Sequence, residues 1–96
     1  PNFAEVINNK GAVFENMGKP EAALKQYLLA IGIDSDFSDS YYNAAKIYCR
    51  QGLLELAESY LDSAITKDPG CLFEAIEDDN LGWLLDIREI KDKLIT

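Results

Sequence analysis

Histidine is absent from the 96 residues, which removes the commonest general base and the commonest metal ligand together. His-based triads and most metal sites are excluded, and no catalytic, metal-binding or cofactor-binding residue is expected. The two thiols, Cys49 and Cys71, are too few for a disulfide framework and too far apart for a Cys-x-x-Cys motif. A reducing compartment follows, so a cytoplasmic location is expected. Basic residues are scarce, 9 Lys and Arg against 17 Asp and Glu, for a net charge of −8. A phosphate backbone would be repelled by that field, which argues against nucleic acid as a partner. No apolar run approaches the roughly 18 residues of a membrane span, so no membrane partner is expected. The start Pro1-Asn2-Phe3 lacks an initiator Met and a signal-peptide pattern, as expected of an excised segment. Only 6 Gly and 3 Pro stand against 48% apolar residues, which excludes collagen-like and disordered classes and leaves one small globular domain spanning 1–96.

What is present is a repeat. Shifting the chain by 34 positions superposes Asn9 on Asn43, Gly18 on Gly52, Glu21 on Glu55, Ala23 on Ala57, Ala30 on Ala64, Ile31 on Ile65 and Asp34 on Asp68. Similar residues fill the gaps, such as Val13 with Ile47 and Phe14 with Tyr48. A fixed period of this length signals stacked supersecondary units. Within each unit the apolar spacing is helical: Phe3, Val6, Ile7, Val13, Phe14 and Met17, then Ala23, Leu24, Tyr27, Leu28 and Ile31.

Gly18 and Gly52 supply the left-handed residue that ends a helix, and Pro20 stands where the next helix has no use for an N–H. Asp34-Ser35-Asp36 and Asp68-Pro69-Gly70 are expected to end the second helices and to cap the helices that follow. Ala23, Ala30, Ala57 and Ala64 let the paired helices approach closely. A lone hairpin leaves an apolar face uncovered, so neighbours must stack. The spacing therefore predicts an all-α solenoid, with repeat one at about 4–37, repeat two at about 38–71, and a C-terminal helical cap at 72–96.

In the cap the register fails, since no glycine turn recurs. The sequence predicts a short helix over Cys71 to Glu77, a stop and new N-cap at Asp78-Asp79-Asn80, a turn or two of helix over Leu81 to Leu85, and a last helix over Ile87 to Ile95. Leu72, Phe73, Ile76, Leu81, Leu84, Leu85, Ile90 and Leu94 are expected to cover the second unit. Trp83 is expected in the core, with a second binding surface as the alternative.

These units resemble the tetratricopeptide repeat family, most specifically in Asn9, Gly11, Phe14, Gly18, Ala23, Tyr27 and Ala30, then in Tyr41, Asn43, Tyr48, Gly52, Ala57, Ala64 and Pro69. Departures are Ile7 where the family prefers Trp, Ala45 for a glycine, Leu61 for an aromatic and Ser35 for proline. The resemblance implies a short right-handed α-α superhelix whose first helices line a concave side that binds a peptide or partner helix. On helical spacing that side would show Glu5, Asn8, Asn9, Ala12, Glu15 and Asn16, then Asp39, Tyr42, Asn43, Lys46, Cys49 and Arg50.

From these the candidate partner-binding residues are Asn8, Asn9, Ala12, Tyr42, Asn43, Lys46, Cys49 and Arg50. Asn43 and Asn9 are read as contacts to a peptide backbone, with helix-to-helix hydrogen bonding as the alternative. Successive helical residues diverge by about 100°, so Tyr41 is assigned to the core and Tyr42 to the groove. Lys46 and Arg50, four apart, would form a positive strip for an acidic peptide, or be satisfied by Asp39 or Glu15. One branch of the family grips the carboxylate of chaperone tails, but here only Asn43 matches that pattern; Asn8, Ala12, Phe73 and Glu77 stand at the other positions. The run from Asp34 to Asp39 lacks the glycine and glutamate of a calcium loop. The partner is thus expected to be another protein or a peptide segment. The other possibility is an assembly domain within a larger repeat protein, its open apolar face at Phe3, Val6, Ile7 and Val13 buried by self-association or by a further N-terminal repeat.

Overall fold

The computed structural model describes residues 2–95, without the side chains of positions 90, 91 and 93–95. Six helices follow one another: α1 (Phe3–Asn16), α2 (Pro20–Ile33), α3 (Ser38–Arg50), α4 (Leu54–Lys67), α5 (Cys71–Glu77) and α6 (Asp79–Ile95). No strand occurs among the described residues. The helices pack as adjacent pairs, α1 with α2, α3 with α4 and α5 with α6, and α3 also lies against α2 and α6.

Local chemistry sets the helix limits. The Asn2 side chain accepts a hydrogen bond from the Glu5 N–H at 3.1 Å and so caps α1. Gly18 ends α1 at φ +73°, with the Lys19 N–H bonded back to the Phe14 carbonyl at 2.9 Å. Gly52 repeats this at φ +79°, with the Leu53 N–H on the Tyr48 carbonyl at 3.0 Å. Such left-handed glycines satisfy carbonyls that the helix end would otherwise orphan.

After α2 and α4 the chain turns differently. Asp34 accepts from the Asp36 N–H and Asp68 from the Gly70 N–H, each at 3.0 Å. These carboxylates shape the turns but do not reach the next helices, because Phe37 and Gly70 occupy the N-cap positions with no side-chain cap bond. The capping role expected for these segments is therefore limited to ending α2 and α4.

Packing depends on close helix approach. Tyr27 of α2 is fully buried in a notch at Gly11 of α1; a Cβ at Gly11 would sit 2.5 Å from Tyr27 Cε1. Ala23, Ala30, Ala44, Ala45, Ala57 and Ala64 are all 0% exposed, which places the small residues of both repeats at the contact lines. On the α3–α4 seam Tyr60 packs between Tyr48, with ring centroids 5.1 Å apart, and Tyr41, at 6.1 Å.

A polar seam joins the first helices of the two repeats. Asn8 is buried, and its Oδ1 accepts from Ser40 Oγ at 3.1 Å and from Asn43 Nδ2 at 3.2 Å. Glu15 accepts from the Tyr27 hydroxyl of its own hairpin and from Arg50 of the next, at 2.9 Å. Burial, then this bond to the Glu15 carboxylate, pushes the Tyr27 hydroxyl well above the usual phenol range.

The cap departs from expectation in three ways. Instead of two helices after Asp78 there is one, α6, since Asp86 is exposed and no proline or second glycine interrupts the ladder after Gly82. Asp78 starts it, accepting from the N–H groups of Asn80 and Leu81 at 2.9 Å each. Second, α5 turns inward with Cys71 and Ala75, leaving Phe73 75% and Ile76 58% exposed; Leu81 and Leu84 are the buried cover. Ala75 and Gly82 allow this tight contact, because a Cβ at Gly82 would lie 2.6 Å from the Ile76 carbonyl oxygen. Third, Trp83 is 49% exposed rather than in the core. The covering roles expected of Ile90 and Leu94 lie outside the described residues.

Two pairs of substitutions check this packing. Gly11→Ala should lower stability by about 1–3 kcal/mol through overpacking against Tyr27. Gly32→Ala, in a helix with open space around it, should raise stability by about 0.5–1 kcal/mol. Thermal melts that show Gly11→Ala to be as stabilising as Gly32→Ala would refute the notch. Asn8→Ala should cost about 1–3 kcal/mol by stranding the buried Ser40 hydroxyl and the half-buried Asn43 amide, whereas Asn9→Ala at an exposed position should stay within about 0.5 kcal/mol. Urea denaturation giving equal losses would contradict the seam.

Candidate functional site

The first helices of the two repeats, α1 and α3, provide the surface on which the sequence placed a partner. Several of its expected residues are engaged by the fold itself. Asn8 is consumed in the seam with Ser40 and Asn43. Cys49 is 8% exposed, and its Sγ lies 3.4 Å from the Asn80 carbonyl oxygen, covered by the start of α6. Arg50 is exposed but turned onto Glu15. Asn9 is exposed and Ala12 half-buried on α1; neither borders the cleft described next.

Tyr42, expected to be exposed in the groove, is the more deeply buried of the two neighbours, and Tyr41, expected in the core, is only partly buried against it. Tyr42 is only 9% exposed, while half-buried Tyr41 rests on Tyr60 and donates its hydroxyl to the Ser35 carbonyl at 2.9 Å. The physical reason is that α3 is covered twice, by α2 and α4 along one side and by the cap on the other. A reading with one buried face per helix misses the second cover.

A cleft of about 280 Å³ remains between α3 and α5, lined by Asp39, Tyr42, Asn43, Lys46, Cys71 and Glu74. The sequence placed Tyr42, Asn43 and Lys46 among the binding candidates, and the structure brings these three together. It adds Glu74, which sequence reasoning counted only as surface charge. The 34-residue register offered no signal for it, since the position equivalent to Asp39 is Phe73, which is exposed outside the cleft lining.

The electrostatics of the cleft are uneven. The Lys46 ammonium sits 5.5 Å from the centroid of the Tyr42 ring, within range of a cation–π contact. The positive strip expected from Lys46 and Arg50 does not form, since one faces Tyr42 and the other Glu15. Burial, then the carboxylates of Asp78 and Glu74, push the Tyr42 hydroxyl up to about 12. Burial also raises both cysteine thiols, with Asp78 adding to the effect at Cys49. At neutral pH they stay protonated and poorly nucleophilic. Both are free and buried. Among the described residues no group of three His, Cys, Asp or Glu could hold a metal ion, and no helix is long and apolar enough to cross a membrane.

Comparison with known proteins agrees with this architecture. Residues 4–37 and 38–71 each match the sequence profile of the tetratricopeptide repeat. The human protein named Tetratricopeptide repeat protein 6 is 35% identical over 66 residues, which cover 69% of this chain. The chain spans 13% of that relative's length. Repeats of this kind generally mediate protein–protein interaction, and the matches point to a non-catalytic repeat scaffold. With two whole repeats matched and six helices packed in adjacent pairs, the chain belongs to the tetratricopeptide repeat family.

Proposed function

We propose that the chain is a protein-interaction module that receives an extended segment of a partner polypeptide in the cleft between α3 and α5. The observation that carries this reading is the cleft itself, with Tyr42, Asn43 and Lys46 on one wall and Glu74 on the other. It offers an aromatic ring, an amide and charges of either sign, the mix that fixes a peptide's orientation. Asn9 and Ala12 extend the same row of first helices along α1. Asn8, Cys49 and Arg50 support the fold and leave the binding set. No catalytic role is assigned, and the unbridged, protonated thiols suit a reducing compartment such as the cytoplasm.

A second reading is favoured by one further observation. On α1, Phe3 and Val6 are each 64% exposed, Val13 56% and Met17 57%. The repeat equivalents of Val6 and Val13 are Ser40 and Ile47, which are 0% and 1% exposed where α3 joins the preceding hairpin. The same face of α1 is therefore built for a neighbour, and self-association would cover it.

Peptides selected from a random library should, by amide chemical-shift mapping, perturb Asp39, Tyr42, Asn43, Lys46 and Glu74. Shifts confined to the outer faces of α2 and α4 would contradict the cleft as the site. For the second reading, light scattering should show a dimer at about 100 μM that Val6→Glu with Val13→Glu abolishes; a monomer up to about 1 mM would exclude it.

A further inference from the structure

The α3–α5 cleft is lined mainly by acceptors, with the carboxylates of Asp39 and Glu74 both solvent-exposed. Tyr42 is nine-tenths buried as a residue, but its hydroxyl is not a buried orphan: no described residue bonds it, so it is open to solvent and to an incoming donor. Tyr42 lines the cleft together with Glu74 of α5. Asn43 spends Nδ2 on Asn8, and its carbonyl oxygen has no partner among the described residues. Asp39 and Glu74 complete the lining, and neither is paired with a cation among the described residues. Lys46 is the one cation of the lining, and no carboxylate of the described residues lies within 4.0 Å of its ammonium. It rests on the Tyr42 ring instead.

Resting on the reading that the cleft takes a partner segment, we infer that it selects a basic side chain, a lysine ammonium or arginine guanidinium, between Asp39 and Glu74 with the Tyr42 hydroxyl and Asn43 carbonyl as further acceptors. The occupant must donate. An ammonium brings three donors and a guanidinium five, with no acceptor to clash. An acidic side chain would meet two carboxylates, and an apolar one would strand every acceptor in the cleft. The volume of about 280 Å³ is below that of ordinary ligand pockets, which suits one side chain rather than a whole small molecule. The chain's net charge of −8 steers a basic partner toward this surface at long range. Lys46 opposes the incoming cation, so removing its charge strengthens the preference; an acidic occupant would require the opposite response.

The test uses the 96-residue chain and three blocked hexapeptides of serine and glycine that differ at one central position, lysine, glutamine or glutamate. Amide shifts and affinities are read at about 50 mM salt, where screening is modest. The lysine peptide should perturb Asp39, Tyr42, Asn43 and Glu74 and bind about fivefold more tightly than the glutamine peptide, with glutamate the weakest. Asp39→Asn with Glu74→Gln should erase that order, Tyr42→Phe should weaken the lysine peptide about threefold, and Lys46→Gln should tighten it. Equal binding of all three peptides in the cleft, or tightest binding of the glutamate peptide, would overturn the basic preference and leave the cleft as a peptide site. Absence of shifts in the cleft with every peptide would overturn both readings. Weakening of the lysine peptide by Lys46→Gln would likewise overturn the basic preference.

Discussion

Close approach of helices to α3 is the constraint on which the rest of the structure depends. This helix touches α2, α4 and α6 and buries Ser40, Tyr42, Ala44, Ala45, Ile47, Tyr48 and Cys49. A helix covered on several sides can present large side chains only where its neighbours present small ones. Ala44 and Ala45 on α3 meet that need directly, while Ala23 and Ala57 do so from the neighbouring second helices. The two repeats and the cap thus share one interior, and where the cap meets α3 through α6 the α3–α5 cleft is left between Asp39, Tyr42, Asn43 and Lys46 on one side and Cys71 and Glu74 on the other.

Polar groups add register to this apolar contact. Asn8 receives two donors from α3, and Glu15 links Tyr27 to Arg50. Sliding the second repeat by one residue would strand Ser40 and Asn43 against apolar surface, a cost that packing alone would not impose. The exposed Arg50–Glu15 pair contributes less, since solvent screens it on the Arg50 side. The same seam limits binding, because an amide used to fix helix against helix has fewer bonds to offer a peptide.

The repeated hairpins were legible because their signals are local and periodic. Gly18 and Gly52 ended helices by backbone geometry, Pro20 opened one, and the alanines marked the contact lines at a fixed interval. Where the interval failed, so did the finer expectations. The expected break between Leu85 and Ile87 lies inside the continuous α6, where Gly82 sits close to the Ile76 carbonyl, and Trp83, expected in the core, is half-exposed. Tyr42 could not be placed from its own helix, since its cover comes from residues about thirty positions later. Asn9 and Asn43 share a sequence position, yet Asn43 donates to Asn8 across the seam while Asn9 is exposed. Lys46 and Arg50 share a face but find partners on different elements. Side chains facing another repeat are decided by what that repeat brings, which no spacing rule within one helix contains.

Helix α3 is the shared stave of one cooperative unit, and native-state hydrogen exchange reads this out residue by residue, since protection reports the free energy of each local opening. The account requires the amides from Ala44 to Tyr48 to exchange only through global unfolding, with lower protection at the Asn2 end of α1. Exchange of those α3 amides through a smaller opening, while α1 and α2 keep full protection, would contradict it.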